Sequence, residues 1–106
     1  MSNTNTKLDA IMAGKYCIIR GKEFGVFAGN VEAVEGDRVL LRNARRLWYW
    51  DGAASISQLA TDGTTAPNSC KFTVTVDCVL LSGVIEIIPA TEKARASING
   101  VKEWKR

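Results

Sequence analysis

Three arginines followed by three consecutive aromatics, within residues 42–55 (RNARRLWYWDGAAS), hold the densest chemistry in this chain. Arg42, Arg45 and Arg46 each carry a planar fork of N–H donors that matches a phosphate. Trp48, Tyr49 and Trp50 offer faces on which a nucleobase can stack. Asp51, Gly52 and the small residues through Ser55 read as the first turn of a helix. The free N–H groups and positive dipole end of such a turn suit an anion. Together these residues fit a ligand that bears both phosphate and base. The plainer reading is a strand that enters the core through its tryptophans, with the arginines solvated. Alternation constrains either reading, because neighbouring strand residues face opposite ways: Tyr49 must point away from Trp48 and Trp50.

Other chemistries lack their parts. The chain has no histidine, which removes His-assisted serine or cysteine nucleophiles and His metal ligands. Its acidic residues are scattered without the pairing that two-metal hydrolysis needs. Ser55 and Ser57 have no base, Ser69 with Lys71 is a remote Ser–Lys pair, and Cys70 lacks a cation on its own strand face. We therefore expect no enzyme, no metal and no cofactor. Cys17, Cys70 and Cys78 are odd in number and lack CxxC spacing, and Cys17 and Cys78 lie in apolar runs where a buried thiol packs as a small hydrophobe. No signal peptide or membrane-length apolar run is visible, so a reducing cytoplasm and no membrane partner are expected.

The elements that must position the cluster follow from periodicity. The 106 residues read as one domain, 1–106, with 1–6 a flexible polar lead. Residues 8–13 form a short helix stopped by Gly14. Three strands, 16–20, 24–34 and 38–43, are joined by short turns as an antiparallel meander, with Gly25 and Gly29 marking bulges or close backbone approach. A fourth strand carries 46–50. Asp51 then caps a helix over 53–61, whose inner face is Ile56, Leu59 and Ala60. In 71–76, Phe72, Val74 and Val76 face one side and Lys71, Thr73 and Thr75 the other, as in a half-buried edge or surface strand, and 79–88 reads as buried on both faces with a bend at Ser82-Gly83. Pro89 stops the last strand, and Thr91 caps a terminal helix with Ala94, Ile98, Val101 and Trp104 on one side. Trp104 is then a buried staple. The sum is an α+β domain: a small antiparallel sheet of about six strands, curled or barrel-like, with two to three short helices.

The stretches RNARRLWYWDGAASISQLA, NSCKF, VIEIIPATEKARASI and VKEW resemble a family of small uncharacterised phage and prophage proteins, from the first strand to the last helix. The resemblance implies a small accessory protein of viral origin and transfers no catalytic residues. Some small phage proteins bind and sequester nucleotide signals made by bacterial immune systems. By that analogy of setting, the expectation is an anti-defence sponge for a Thoeris-type ADP-ribose derivative or a CBASS-type cyclic nucleotide. Arg42, Arg45, Arg46, Trp48, Tyr49, Trp50, Asp51, Gly52 and Ser55 are its candidate ligand-binding residues. A chain this short has little room for both a core and a deep cleft, so a homo-oligomer with a pocket between subunits belongs to the same expectation. The alternatives are a protein-interaction or assembly module with Trp and Arg as hot spots, and a single-strand nucleic-acid binder. The net charge of only +3, with Glu32, Glu35, Asp37 and Asp51 interrupting any basic track, disfavours the nucleic-acid reading.

Overall fold

A computed structural model describes residues 6–106, without the side chains of Thr6, Lys7 and Asp9. The expected flexible lead lies, through residue 5, outside the described residues. Helix α1 (Thr6–Met12) is followed by β1 (Tyr16–Gly21), β2 (Val26–Glu35) and β3 (Arg38–Tyr49). After α2 (Ile56–Asp62) and a single 3-10 turn (Pro67–Ser69) come β4 (Lys71–Ser82), β5 (Val84–Pro89) and α3 (Glu92–Gly100). The five strands pair antiparallel, in the order β4-β3-β2-β1-β5.

Alternation along β1 builds two cores. Tyr16 and Ile18 point to one face, with Phe72, Leu47, Leu59 and Ala60 of α2 and Ile98 of α3. Cys17 and Ile19 point to the other, with Phe27, Val31, Val39, Leu41 and Leu81. The helices α2 and α3 cover the first face, and the second is enclosed largely by the bend of the sheet itself. That bend has a geometric cause. Only Gly83 (φ +81°) separates β4 from β5, although these strands are the two edges of the sheet. In a flat sheet four interstrand spacings put the edges about 19 Å apart. Two peptide steps span only about 7 Å. The sheet must roll at this end. Val84 N–H donates to Asp37 O at 2.9 Å and Lys22 N–H to Gly83 O at 2.8 Å, tying the crossing down.

Several expectations are corrected. The sheet is rolled but not closed, since β4 and β5 do not pair, so it is no barrel. It has five strands because 38–43 and 46–50 are one strand: Asn43 (φ +51°) carries β3 through a kink that reads in sequence as a break. Gly29 lies opposite, where a Cβ would come within 2.7 Å of Arg42 O, so its close-approach role holds. The edge or surface strand expected at 71–76 is the start of β4, an edge of the sheet, where Phe72 is buried and Val74 and Val76 are exposed; within 79–88, expected to be buried on both faces, Leu80 and Ile85 are exposed because these edge strands have no covering layer there. Helix α3 ends at Gly100, and Val101 turns extended, so Trp104 leaves the helical face and stays 47% exposed.

Buried β1 makes the fold sensitive to alkali. Burial pushes the Tyr16 hydroxyl from 10.0 up to about 12, against the opposing charges of Arg45 and Arg95. Burial likewise pushes the Cys17 thiol from 9.0 to about 11. Both shifts favour the protonated form in the fold, so the unfolded chain loses its protons first. Stability is therefore held below pH 9 and lost as pH rises from about 9 to 12, by roughly 3 kcal/mol for each group. Urea midpoints measured at pH 8 and pH 11 check this; equal midpoints would refute it.

Candidate functional site

The second half of β3 brings the clustered residues to one end of the sheet but sends their side chains to different tasks. Arg45 is only 3% exposed and lies inside. Its Nε donates to Thr73 O at 2.8 Å and its Nη1 to Ile98 O at 2.7 Å. Its Nη2 donates to Val101 O at 2.5 Å and Phe72 O at 3.4 Å. Two of these acceptors lie at the C-terminal end of α3, where free carbonyls and the negative dipole end favour a cation. Burial holds the guanidinium below its ordinary value. With its donors held by carbonyls, Arg45 has no reach to a phosphate, which corrects its assignment to the ligand.

Arg42 points outward but is engaged. Its Nε donates to Glu32 Oε1 at 2.6 Å, and Asp77 lies 3.5 Å from Nη1. The hydrogen bond from Arg42 also holds the Glu32 carboxyl below the usual carboxylate range. Arg46 is different. Its guanidinium lies 4.3 Å over the Phe27 ring, and Nη1 donates to Phe24 O at 2.7 Å. Among the described residues its Nε and Nη2 have no acceptor, so Arg46 keeps donors for an anion.

The aromatics divide as alternation requires. Trp48 and Trp50 line one cleft, and Tyr49 is not among its walls. This cleft, of about 260 Å³, lies between the β1–β2 turn (Glu23, Phe24, Gly25) and the end of β3 with Arg46. Trp50 also packs partly into the first core, so it is half wall and half anchor. Trp48 is 63% exposed and lies parallel to Trp104, with ring centroids 6.4 Å apart and planes 10° apart. Trp104 is placed there by backbone pairing: Glu103 bridges Phe72, and Trp104 N–H donates to Phe72 O at 2.8 Å. The ammonium of Lys71 stands 5.5 Å over the Trp104 ring. The result is a two-indole ledge with cations beside it.

Asp51, Gly52 and Ser55 form no anion site. The Asp51 carboxylate accepts from its neighbour Gly52 N–H at 2.7 Å instead of capping a helix. The cap is Ser55, whose Oγ accepts from Gln58 N–H at 3.1 Å, while Gln58 Oε1 accepts from Ala54 N–H at 2.7 Å. These bonds satisfy donors that the anion reading needs free. Helix α2 begins at Ile56 and has 7 residues. Gly52 (φ +82°) is a backbone position: a Cβ there would lie 2.5 Å from Ala66 N.

A family model described as a domain of unknown function, DUF6948, matches residues 14–98. The chain belongs to this family. No curated protein and no solved structure matches the chain. The DUF6948 match runs from just before β1 to Ile98 in α3, so it takes in Arg46, Trp48 and Trp50 and stops short of Trp104. Sequence reasoning missed Trp104, Lys71, Glu23 and Phe24 as neighbours of the cluster. Each arrives by long-range pairing, and no local spacing signals it. A membrane-spanning role finds no helix long and apolar enough among the described residues.

Proposed function

We propose that this protein binds a nucleotide-derived ligand without cleaving it, in the manner of a phage sponge that withdraws a bacterial immune signal. The observation that carries this reading is the parallel pair Trp48–Trp104, half-exposed and flanked by Lys71 and by the free donors of Arg46. An exposed indole face is worth about 1–3 kcal/mol to a stacked base, and a guanidinium beside it suits phosphate. The contacts thus rest on Arg46, Trp48 and Trp50, with Lys71 and Trp104 added. The phage setting comes from the sequence resemblance, and the immune signal, whether an ADP-ribose derivative or a cyclic nucleotide, from analogy with that setting. The shallow cleft also supports a homo-oligomer, since a second copy laid over the ledge would exclude water from the ligand.

A single-stranded nucleic acid is the second reading, favoured by the openness of the ledge. One experiment separates them. The protein is incubated with lysate of infected, defence-active cells, freed of unbound material, heat-denatured, and the supernatant analysed by mass spectrometry. An intact nucleotide released from the wild type and not from Trp48→Ala is the expected result. A breakdown product would indicate an enzyme. Nothing released, together with oligonucleotide binding that weakens steeply with salt, would replace this proposal with the second.

A further inference from the structure

We propose that a second copy of this chain pairs with the outer edge of β4 about a two-fold axis, joining two five-stranded sheets into one. The inference is independent of any ligand, and the contact differs from a copy laid over the ledge. Among the described residues, β4 is closed on its outer side only at Phe72, by Glu103 and Trp104. From Val74 to Ser82 that side is open, so alternate N–H and C=O groups face away from β3 along about 30 Å.

Proteins ordinarily blunt such an edge with lysine, proline, a bulge or a covering element. The opposite edge follows that rule, since β5 has 6 residues and ends at Pro89. The β4 edge does not. From Thr75 to Ser82 it keeps one unbroken register against β3, and residues 74–82 include neither proline nor lysine. Residues 74–78 are exposed, whichever face they point to, and the run VTVDCVLL is rich in strand-forming types. Its lone charge, Asp77, has Arg42 Nη1 at 3.5 Å and is balanced within its own copy.

Symmetry fixes the register. A two-fold axis normal to the sheet keeps a residue and its mate on one face, and cross-strand partners also share a face. The residue at the axis must therefore meet itself. Cys78 is the midpoint of the open stretch, and an axis there brings all of it into the ladder. Val76 of each copy then meets Leu80 of the other beside the two Cys78 side chains, one apolar strip from residues that stand 43% and 57% exposed alone. Each strand turns away at Gly83 just before the position that Glu103 and Trp104 cover. An axis at Asp77 would set two carboxylates face to face, which like charges disfavour. The edge is thus self-complementary, the property that makes a second copy its occupant. Both indole ledges stay open, one at each end of the joined strands.

Light scattering over a concentration series, on the full chain under reducing conditions, is expected to give twice 11.6 kDa. Val76→Lys, at an exposed position, is expected to return 11.6 kDa with native circular dichroism, because an edge lysine blunts pairing. A second measurement alters no residue. Cys17 and Cys70 are buried and Cys78 is exposed, so a short bismaleimide is expected to join Cys78 to Cys78 in the wild type. Their Cβ atoms would stand about 4.5–5.5 Å apart across the axis. Val76→Lys, which keeps the thiol, is expected to lose this cross-link, as is Cys78→Ser. A wild-type mass of 11.6 kDa at every concentration overturns the proposal. A doubled mass that lacks the cross-link, or that survives Val76→Lys, overturns it too and moves the second copy to another face.

Discussion

Arg45→Ala is expected to destabilise the fold by about 3–5 kcal/mol, a large part of the roughly 5–15 kcal/mol that a domain of this kind possesses. The side chain joins four carbonyls from two distant parts of the chain, Phe72 and Thr73 on β4 and Ile98 and Val101 at the end of α3. Its removal leaves buried acceptors without donors, and each orphan costs about 1–3 kcal/mol. The packing of Arg45 against the Phe72 ring, at 5.6 Å, is lost as well. Arg45→Lys is expected to recover only part, since one ammonium cannot span the positions that a planar fork reaches. Urea denaturation with an unchanged slope and a lowered midpoint is the expected readout. A wild-type midpoint in Arg45→Ala would show that the carbonyls find other donors.

Phe72→Ala should cost a similar amount, about 3–5 kcal/mol, as large aromatic truncations in cores do. Phe72 is fully buried in the first core and also anchors the segment that carries Trp104. Trp104→Ala, by contrast, should cost about 1 kcal/mol, chiefly the lost stack on Trp48. The order matters more than either value. Thermal melts in which Trp104→Ala falls as far as Phe72→Ala would restore the buried staple that the sequence suggests.

How far the sequence could be read depended on the range of the interaction. Local signals were legible: Gly14 follows the end of α1, Thr91 caps α3, and Ile56, Leu59 and Ala60 form the inner face of α2. The meander of β1, β2 and β3 followed from turn residues and short spacing. Asn43 misled because a left-handed residue inside a strand has the same composition as one in a turn. Asp51 misled because two good caps, Asp51 and Ser55, stand four residues apart, and the backbone is free to use the second. Within the candidate site, the grouping of Trp48 with Trp50 was visible from period-two alternation. The burial of Arg45 was not, since its acceptors belong to residues far along the chain that no pattern near Arg45 announces.

The one-residue link at Gly83 also governs the order in which the sheet can be assembled. The hairpins β1–β2 and β2–β3 join sequence neighbours and β4 returns to β3 after α2, but the outer partner of β1 is β5, with Cys17 meeting Pro89. That ladder closes a long loop, whose entropy must be overcome before its contacts form. Sheets dominated by such distant pairings fold on the millisecond-to-second scale, well behind helical bundles. Until β5 docks, the buried strand at the centre of both cores has a naked edge, and nascent chains in that state are open to pairing with one another.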